Sequence, residues 1–485
     1  MSDRCRSRSG AREAVWPRDH ISFANPPLVA DLPYRADSAD LFESLVQGSW
    51  PVFLDSGRPA GEQGRYDILS ADPVARLVTR GAQTWISTAR GTRVSQADPL
   101  DLLREALGPA RPGVAGLPFA GGAIGYFAYD LARRLAAIPT LGRDAEGLPE
   151  MAVGVYDWAV VVDHHRRETR LVARGAASSG GRFQRLLAGL EARGRRRSHP
   201  PFRALAPLSA NLSRGQYLAR IARIKDYLRA GDCYQVNLAQ RFAAPVTGDP
   251  WLGYRGLRRL APAPFSAYLS TPEWQILCTS PERFLQVVEG SVETRPIKGT
   301  RARGADGATD AALARALADS AKDRAENLMI VDLLRNDLGK VCAIGSVHVP
   351  ELFKVEHFPQ VHHLVSTVRG RLADGRDALD LLRACFPGGS ITGAPKRRAM
   401  EIIEALEPHR RGVYCGTIGY IGFDGAMDTN IAIRTLVCSR GLARFWVGGG
   451  IVADSDPELE YRETYDKGAA LLALLERAEG LRGVR

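Results

Sequence analysis

Lys298 stands in the part of the sequence that is most favourable for chemistry. It lies between Pro296, which restricts the backbone, and Gly299, which lets another segment or a ligand come close. Residues 284–295 have the pattern of a β-hairpin, so we expect Lys298 where a strand ends. Glu282 precedes the same hairpin, and the amine and the carboxylate are therefore predicted to face one pocket. A solvated loop lysine among arginines is the alternative.

Acidic side chains accompany two predicted helices. Residues 321–338 are expected to form one helix, and Glu326 lies near its start, where the helix dipole favours an anion. A second helix is predicted from Pro457 to about residue 478. Two carboxylates and an amine share one face of it, at Glu460, Glu463 and Lys467. Solvated surface charges are the alternative for both helices.

Two glycine-rich segments are suited to holding an anion or a ligand. In residues 386–396, glycines precede Pro395, which is expected at the first position of a helix whose free N–H groups can bind an anion. This segment is not a P-loop, because alanine and proline follow Gly393. Residues 448–450 are three successive glycines just before the C-terminal helix. A tight structural turn is the alternative for residues 386–396.

Composition limits the class of protein. The chain has 485 residues, of which 45% are hydrophobic and 25% charged, as in ordinary soluble globular proteins. No apolar run approaches the ~18 residues of a membrane span, and the N-terminus lacks the apolar segment of a signal peptide, so a cytoplasmic location is expected. The seven cysteines are scattered without a C-x-x-C pair, which argues against a disulfide framework or a zinc site.

The net charge of +11 raises the question of nucleic-acid binding. Between residues 166 and 203, however, eleven arginines face only two glutamates, so most of the excess positive charge lies in one segment. The composition of this segment is that of a solvated connector. We therefore do not expect nucleic acid as the main partner.

The pattern of elements divides the chain into four regions. Residues 1–25 are expected to be disordered, 26–175 to be rich in strands, 176–210 to form a basic connector, and 211–480 to form a catalytic domain. Predicted strands at residues 414–421 and 429–437 carry Tyr414 and Arg434. The apolar stripe of the helix at 321–338 is predicted at Leu328, Val331, Leu334 and Leu338.

Several segments together resemble the chorismate-utilising enzymes. They are TSPERFLQVVEGSVETRPIKGTRARG, AENLMIVDLLRNDLGKV, HHLVS, FPGGSITGAPK, TNIAIRT and GGGIVADSDPELEYRET, and the resemblance extends over about residues 26–478. It implies an α+β fold of two stacked antiparallel β-sheets wrapped by helices. Lys298 is similar to the branch that aminates chorismate at C4, giving 4-amino-4-deoxychorismate for folate synthesis. The alternative branch, anthranilate synthase component I, usually has alanine at this position.

The resemblance also implies roles for individual residues. Lys298 would be the nucleophile that attacks C2, and Glu282 the general acid and base. Mg²⁺ would be held by Glu326 and Glu463, with Glu460 acting through water. The residues similar to the family's substrate-binding positions are His363, Thr392, Tyr414, Arg434, Gly448, Gly449, Gly450 and Lys467. For His363 a structural role in the core is the alternative.

The partner proteins expected for this chain are those that would supply activities for which its sequence shows no residues. No Cys-His-Glu set of a glutaminase is evident, so ammonia would come from solution or from a separate glutamine amidotransferase subunit. Elimination of pyruvate would require a separate lyase. Members of the family carry an amino-acid cleft in the N-terminal half. By similarity, a candidate tryptophan site here comprises Glu43, Ser44, Pro264 and Phe265.

Overall fold

Two large antiparallel β-sheets form the centre of the molecule in the computed structural model, which describes residues 26–57, 63–136, 138–179, 181–191, 199–358 and 361–476. Labels follow chain order. The first sheet contains β1 Leu28–Leu32, β2 Val52–Asp55, β3 Tyr66–Ser70, β9 Trp158–Asp163, β10 Glu168–Ala173, β11 Arg203–Ala204, β12 Ser209–Ala210, β13 Gln235–Thr247, β14 Phe265–Ser270, β15 Trp274–Ser280, β21 Gly393–Ala394, β24 Thr435–Ser439 and β25 Leu442–Ile451.

The second sheet is built in the same way from the remaining strands. It contains β4 Ala75–Arg80, β5 Gln83–Thr88, β6 Gly91–Ser95, β7 Gly122–Phe127, β8 Met151–Tyr156, β16 Arg283–Val288, β17 Ser291–Thr294, β18 Ile297–Ala302, β19 His348–His357, β20 Val361–Arg371, β22 Thr417–Gly422 and β23 Met427–Asn430. Neighbouring strands in both sheets run antiparallel.

Helices cover the outer faces of the sheets. They are α1 Ala39–Phe42, α2 Pro99–Leu107, α3 Ala132–Leu135, α4 Arg182–Glu191, α5 Arg214–Arg229, α6 Pro250–Leu260, α7 Gly307–Ala318, α8 Ala321–Gly339, α9 Ala378–Cys385, α10 Lys396–Leu406 and α11 Pro457–Glu476. The predicted α+β fold of two antiparallel sheets wrapped by helices is therefore confirmed. No helix of the described chain is long and apolar enough to cross a membrane.

The two sheets pack face to face. One buried cluster joins Val52, Ile68 and Val161 of the first sheet to Ile124 and Tyr126 of the second. Burial of such side chains contributes roughly 1.5–3 kcal/mol each, so this layer is a main source of stability. It also fixes the position of one sheet relative to the other.

Both sheets combine strands from the two halves of the chain. In the first sheet β2 pairs with β14, and in the second β7 pairs with β22. The regions predicted at 26–175 and 211–480 therefore share one architecture. The predicted disorder of residues 1–25, the arginine-rich stretch at 192–198 and the end of the last helix near 478 lie outside the described residues.

The connector predicted at 176–210 is more ordered than its composition suggested. Helix α4 buries Phe183 and Leu190, and β11 and β12 both pair with β13. Apolar residues between the arginines supply this packing, which the charge count did not weigh. The described residues of this segment therefore pack against the rest of the chain, and its role as a connector stays a prediction.

Helices α5 and α8 begin where the sequence indicates. Ser213 forms a capping box with Gln216, and the Ser320 hydroxyl accepts a hydrogen bond from the Asp323 amide. The apolar stripe of α8 is nevertheless rotated from the prediction, because Leu328 is exposed while Asn327 is buried. The reason is that the helix packs against β18 and β20 with the face that contains Asn327.

Two site residues lie in backbone settings that differ from the predictions. Lys298 is the second residue of β18, which pairs with β20, and so lies within a strand and not at the end of one. The strand predicted at 429–437 is interrupted between β23 and β24. Arg434 lies in that interruption with φ of 50°, a left-handed conformation that non-glycine residues rarely adopt. Tyr414 similarly precedes β22, which begins at Thr417.

Candidate functional site

Lys298 and Glu282 meet at Ser390, in the loop that leads into α10. The Lys298 ammonium donates a hydrogen bond of 3.0 Å to the Ser390 carbonyl oxygen. The Glu282 carboxylate lies against the Ser390 side chain and is 6% exposed. The prediction that an amine and a carboxylate face one pocket agrees with this arrangement. Ser390 itself was not singled out from the sequence, because its carbonyl group, which every residue has, makes the contact.

The environment shifts the pKa of each group towards its less charged form. Burial lowers the pKa of Lys298, and the neighbouring Glu326 and Glu282 carboxylates offset only part of this effect. Burial raises the pKa of Glu282, against the opposing effects of Ser390 and Lys298. A neutral amine is a nucleophile and a protonated carboxyl is an acid, so both shifts favour the chemistry expected of the pair.

Three carboxylates approach the same region from α8 and α11. Burial raises the pKa of Glu326 and of Glu460, and in each case the Glu463 carboxylate adds to the increase. Like charges in proximity are destabilising, and a cation relieves them. The Lys322 ammonium lies 3.9 Å from a carboxylate oxygen of both Glu326 and Glu460. Lys322 was not predicted, since lysine at a helix start has no distinctive pattern.

These carboxylates suit Mg²⁺ by the chemistry of their donor atoms, because Mg²⁺ prefers oxygen ligands and keeps several waters. Within the described chain, however, no group of three or more His, Cys, Asp or Glu side chains has the geometry of a metal site as it stands. Glu460 accepts a hydrogen bond of 2.7 Å from the Ser455 hydroxyl, and Glu463 pairs with Lys467 at 2.6 Å. Mg²⁺ would replace the lysine ammoniums as the neighbour of these oxygens.

The glycine run lies directly beside α11. The Lys467 ammonium donates a hydrogen bond of 3.2 Å to the Gly448 carbonyl oxygen. A Cβ atom at Gly449 would lie 2.9 Å from a Glu460 carboxylate oxygen, and one at Gly450 would lie 2.9 Å from the Gln235 amide group. Only glycines allow side chains from both neighbouring elements to reach this backbone.

Arg434 and His363 form the basic part of the region. Burial lowers the pKa of Arg434, whose guanidinium has no ion-pair partner among the described residues. Burial, the Arg434 charge and His362 lower the pKa of His363 to about 3, so the imidazole is neutral. Its Nδ1 forms a hydrogen bond of 2.9 Å with the Thr300 hydroxyl. An unpaired, half-buried guanidinium is suited to binding a carboxylate of a ligand.

Thr392 and Tyr414 are held by their surroundings. The Thr392 hydroxyl donates to the Gly388 carbonyl oxygen at 2.9 Å, and the Tyr414 ring stacks on Trp446. Arg411, which sequence inspection missed, donates to the carbonyl oxygens of Ile391 and Asn237. It pairs with Glu407 in the interior and thereby fixes the loop of Thr392 to β13.

The four residues of the candidate tryptophan site do not all line one cavity. Pro264 and Phe265 line a cavity of about 920 Å³ together with Leu54 and Asp55, but Glu43 and Ser44 do not contribute to its lining. The Ser44 hydroxyl donates to the backbone of Leu41. The lining of this cavity therefore does not include all four residues, and a tryptophan site that unites them stays a prediction. The segment Leu41–Ser44 belongs to α1 and the turn after it, whereas the cavity lies against β2.

The large cavity and the candidate catalytic residues lie in different parts of the molecule. The lining of the 920 Å³ cavity contains none of the candidate nucleophile, acid or metal residues among the described part of the chain. Lys298, Glu282 and the three glutamates lie near the starts of β18, β16, α8 and α11, beside the glycine run near the end of β25. We take that region as the candidate active site, because it combines a buried acid, an amine with a lowered pKa and an unpaired guanidinium.

Comparison with known proteins identifies the family of the chain. The family model described as chorismate binding enzyme matches residues 51–473, and the chain belongs to this family. It is 49% identical over 456 residues to "Aminodeoxychorismate synthase component 1" of Salmonella typhimurium, covering 93% of this chain and 98% of that one. It is 42% identical over 430 residues to "Anthranilate synthase component 1" of Thermus thermophilus, covering 88% and 92%.

A solved structure supports the fold as well. The crystal structure of anthranilate synthase component I from Streptococcus pneumoniae superimposes with a TM-score of 0.76 at 34% identity, covering 84% of this chain and 92% of that chain. The two branches of the family that the sequence left as alternatives are thus both among its relatives. Of these two relatives, the one named aminodeoxychorismate synthase component 1 is the more similar in sequence, at 49% against 42% identity.

Proposed function

We propose that the chain converts chorismate and ammonia to 4-amino-4-deoxychorismate, as the chorismate-binding component of a two-component synthase. The observation that carries the proposal is the partly buried amine of Lys298, with its lowered pKa, beside the buried acid Glu282. The relative from Salmonella typhimurium, which is named for this activity, supports it at 49% identity. Arg434 provides an unpaired cation for a substrate carboxylate.

In the proposed reaction the neutral Lys298 amine attacks C2 of chorismate. The two conjugated ring double bonds shift, the C4–O bond breaks, and the hydroxyl leaves as water with a proton from Glu282. Ammonia then forms a bond with C4, the double bonds shift back, and the C2–N bond breaks with its electron pair returning to Lys298. The lysine leaves as a neutral amine, and the new C4 ammonium group returns a proton to Glu282, so atoms and charge balance and both side chains are regenerated.

Glu326 and Glu463 would bind Mg²⁺, with Glu460 acting through water. When bound, the ion would neutralise the ring carboxylate of the substrate and add positive charge near the reacting ring. The remaining substrate contacts are assigned to Arg434, Tyr414, Thr392 and the backbone of residues 448–450, with Lys467 beside them. His363 is assigned a neutral contact with the substrate, because its pKa of about 3 prevents it from carrying charge at neutral pH.

Ammonia is proposed to come from a separate glutamine amidotransferase subunit. All the cysteines of the described chain are buried. Burial raises the pKa of the Cys278 thiol to about 11, which is opposite to what a nucleophilic thiol needs. A separate lyase would then remove pyruvate from the product.

Anthranilate formation is the second candidate, and a relative of that name at 42% identity supports it. Direct attack of ammonia without a covalent intermediate needs no lysine at this position. The choice of 4-amino-4-deoxychorismate as product therefore depends on Lys298.

The test is to incubate the purified chain with chorismate, Mg²⁺ and ammonium chloride at pH 8.5, and to separate the products by chromatography. We expect 4-amino-4-deoxychorismate, which an added lyase converts to p-aminobenzoate. Glutamine should replace ammonium only when an amidotransferase subunit is added. Anthranilate as the main product would overturn the proposal, and turnover of glutamine by the chain alone would overturn its second part.

A further inference from the structure

Strand β13 brings two amide side chains between the backbone segments assigned to the substrate. The backbone of Gln235 pairs with Ala394, and the backbone N–H of Asn237 donates a hydrogen bond of 2.9 Å to the Thr392 carbonyl oxygen. On its other side, Asn237 is paired with Gly450. The start of β13 therefore lies between the Thr392 loop and the glycine run.

The two side chains point to the same face of β13, because they are two residues apart in a strand. Gln235 is 0% exposed, and neither its amide nitrogen nor its amide oxygen has a hydrogen-bond partner among the described residues. Asn237 is 6% exposed, and its side-chain oxygen is also without a partner. Buried amides are nearly always hydrogen-bonded, so two adjacent exceptions require an explanation.

The Gln235 amide lies against the glycine run itself. A Cβ atom at Gly450 would be 2.9 Å from its carbon and nitrogen atoms, so the absence of a side chain there provides the space it occupies. Gly450 is partly accessible although Gln235 is buried beneath it. The unpartnered amide is thus adjacent to the surface on which the substrate ring is proposed to lie.

We propose that Gln235 and Asn237 form the binding site for the ammonia that attacks C4. The inference rests on the proposed function, because it assigns the second substrate of that reaction. Ammonia must keep its lone pair free for attack, so a binding site has to hold it through its N–H groups. Amide oxygens accept such hydrogen bonds without carrying charge, whereas a carboxylate would favour ammonium, which has no lone pair.

The rest of the site leaves this role unfilled. The Arg434 guanidinium suits a carboxylate, and the three glutamates suit Mg²⁺ or ammonium. The unpartnered neutral acceptors beside the glycine run are those of Gln235 and Asn237, whereas the unpartnered amide oxygen of Gln240 belongs to a side chain that contacts α11. The unpartnered Gln235 amide nitrogen can donate to water or to a substrate oxygen, whereas the two amide oxygens accept N–H groups and repel a carboxylate. Because two of these three unpartnered atoms are acceptors, the pair matches ammonia better than it matches a carboxylate of chorismate.

The experiment compares wild type with Gln235→Leu and Gln235→Met, which keep the volume but remove the amide. The Michaelis constant for ammonia, varied as ammonium chloride at fixed pH, should rise by about tenfold or more. The Michaelis constant for chorismate should stay within about twofold. Without ammonia, the covalent adduct of Lys298 with chorismate, measured by mass spectrometry, should form at the wild-type rate.

Gln240→Leu provides a matched control. Gln240 is also fully buried in β13, and its amide oxygen likewise has no partner among the described residues, but it faces α11, where its amide nitrogen donates to the Thr464 hydroxyl at 2.7 Å. Its substitution should not change the Michaelis constant for ammonia, and a change equal to that of Gln235→Leu would overturn the proposal. Asn237→Leu should raise the constant in the same direction as Gln235→Leu.

Two results with the Gln235 variants would overturn the ammonia site. An unchanged Michaelis constant for ammonia would mean that the amides bind water only. Loss of the Lys298 adduct would mean that they contact chorismate instead. Failure of the proposed function is distinguishable from both, because the wild-type chain itself would then form neither adduct nor aminated product.

Discussion

Two clusters of charged side chains in this molecule have similar compositions but differ in how many of their polar groups have hydrogen-bond or ion-pair partners. In the first, Glu43 accepts hydrogen bonds from Trp251 at 2.8 Å, Arg255 at 2.7 Å and His199 at 3.0 Å. His199 contacts Asp249 with its other ring nitrogen. In the second, around Lys298, Arg434 has no ion-pair partner among the described residues.

The difference shows how a binding site is recognised among structural polar contacts. A carboxylate with three donors has little capacity left for a ligand, so the Glu43 cluster holds α1, α6 and the end of the connector together. Around Lys298, by contrast, burial shifts the pKa values of Lys298 and Glu282, and the nearby Gln235 and Asn237 side chains have amide atoms without hydrogen-bond partners. Such an arrangement is costly for the free protein and is expected where a ligand completes it.

The largest expected effect comes from substituting Lys298, in the cluster whose polar groups lack partners. Lys298→Ala should abolish the adduct of chorismate minus water on the peptide that contains Pro296–Thr300. Amination should fall by about a thousandfold or drift towards anthranilate. Lys298→Arg should not restore activity, since a guanidinium stays protonated and cannot attack.

The control for Lys298 is thermal unfolding of the same variants. Both should unfold near the wild-type temperature, because the Lys298 amine makes one hydrogen bond, to the Ser390 carbonyl oxygen. Wild-type rates in Lys298→Arg would reduce Lys298 to an electrostatic contact and would contradict the covalent route.

The next largest effect is expected at the carboxylates. Glu326→Gln and Glu463→Gln should each lower turnover by about tenfold to a hundredfold and raise the Mg²⁺ concentration needed for half activity. Metal binding measured by calorimetry should weaken in parallel, which separates a ligand from a residue that affects turnover alone. Glu458→Gln is the control, because Glu458 is on the same helix but pairs with Arg214. Unchanged metal binding in Glu326→Gln would remove that residue from the metal site.

Much of the fold and part of the site could be predicted from the sequence. Helix caps such as Ser213 and strand patterns depend on local residues, and the resemblance supplied the two-sheet architecture. Gln235, Ser390 and Lys322 were missed because their roles depend on which backbone segment lies opposite them, and no spacing records that. Leu328 was assigned to the core because an apolar stripe does not say how far a helix is rotated against its sheet.

Substitutions in the Glu43 cluster should change the stability of the protein and not its activity. Burial opposes the charged form of His199, but hydrogen bonds with Asp249 and Glu43 raise its pKa above the ordinary value. The stabilisation is therefore fully present below about pH 6.5, where the unfolded imidazole is also protonated, and is lost as the pH rises through the raised folded value. His199→Gln should destabilise by about 1–2 kcal/mol at pH 6 and by less at pH 9.

This prediction is checked by urea unfolding at both pH values, with amination measured alongside. The rate of amination should stay at the wild-type level in His199→Gln. Equal destabilisation at pH 6 and pH 9 would contradict a contribution of charged hydrogen bonds of His199 to stability. Loss of amination would mean that the Glu43 cluster also affects the active site.

The smallest expected effect concerns Lys322, whose ammonium lies between two of the proposed metal ligands. Its side chain is 53% exposed and 3.9 Å from Glu326 and Glu460, so each contact is weak and is screened by solvent. Lys322→Ala should therefore tighten Mg²⁺ binding by only about two- to fivefold, because a competing cation is removed. Lys340→Ala is the matched control, since Lys340 is 54% exposed and pairs with Asp337 next to the same helix. Calorimetric titration with Mg²⁺ distinguishes the two variants. Weaker binding in Lys322→Ala would mean that the lysine supports the metal site. Mg²⁺ would then not have to displace the Lys322 ammonium from Glu326 and Glu460.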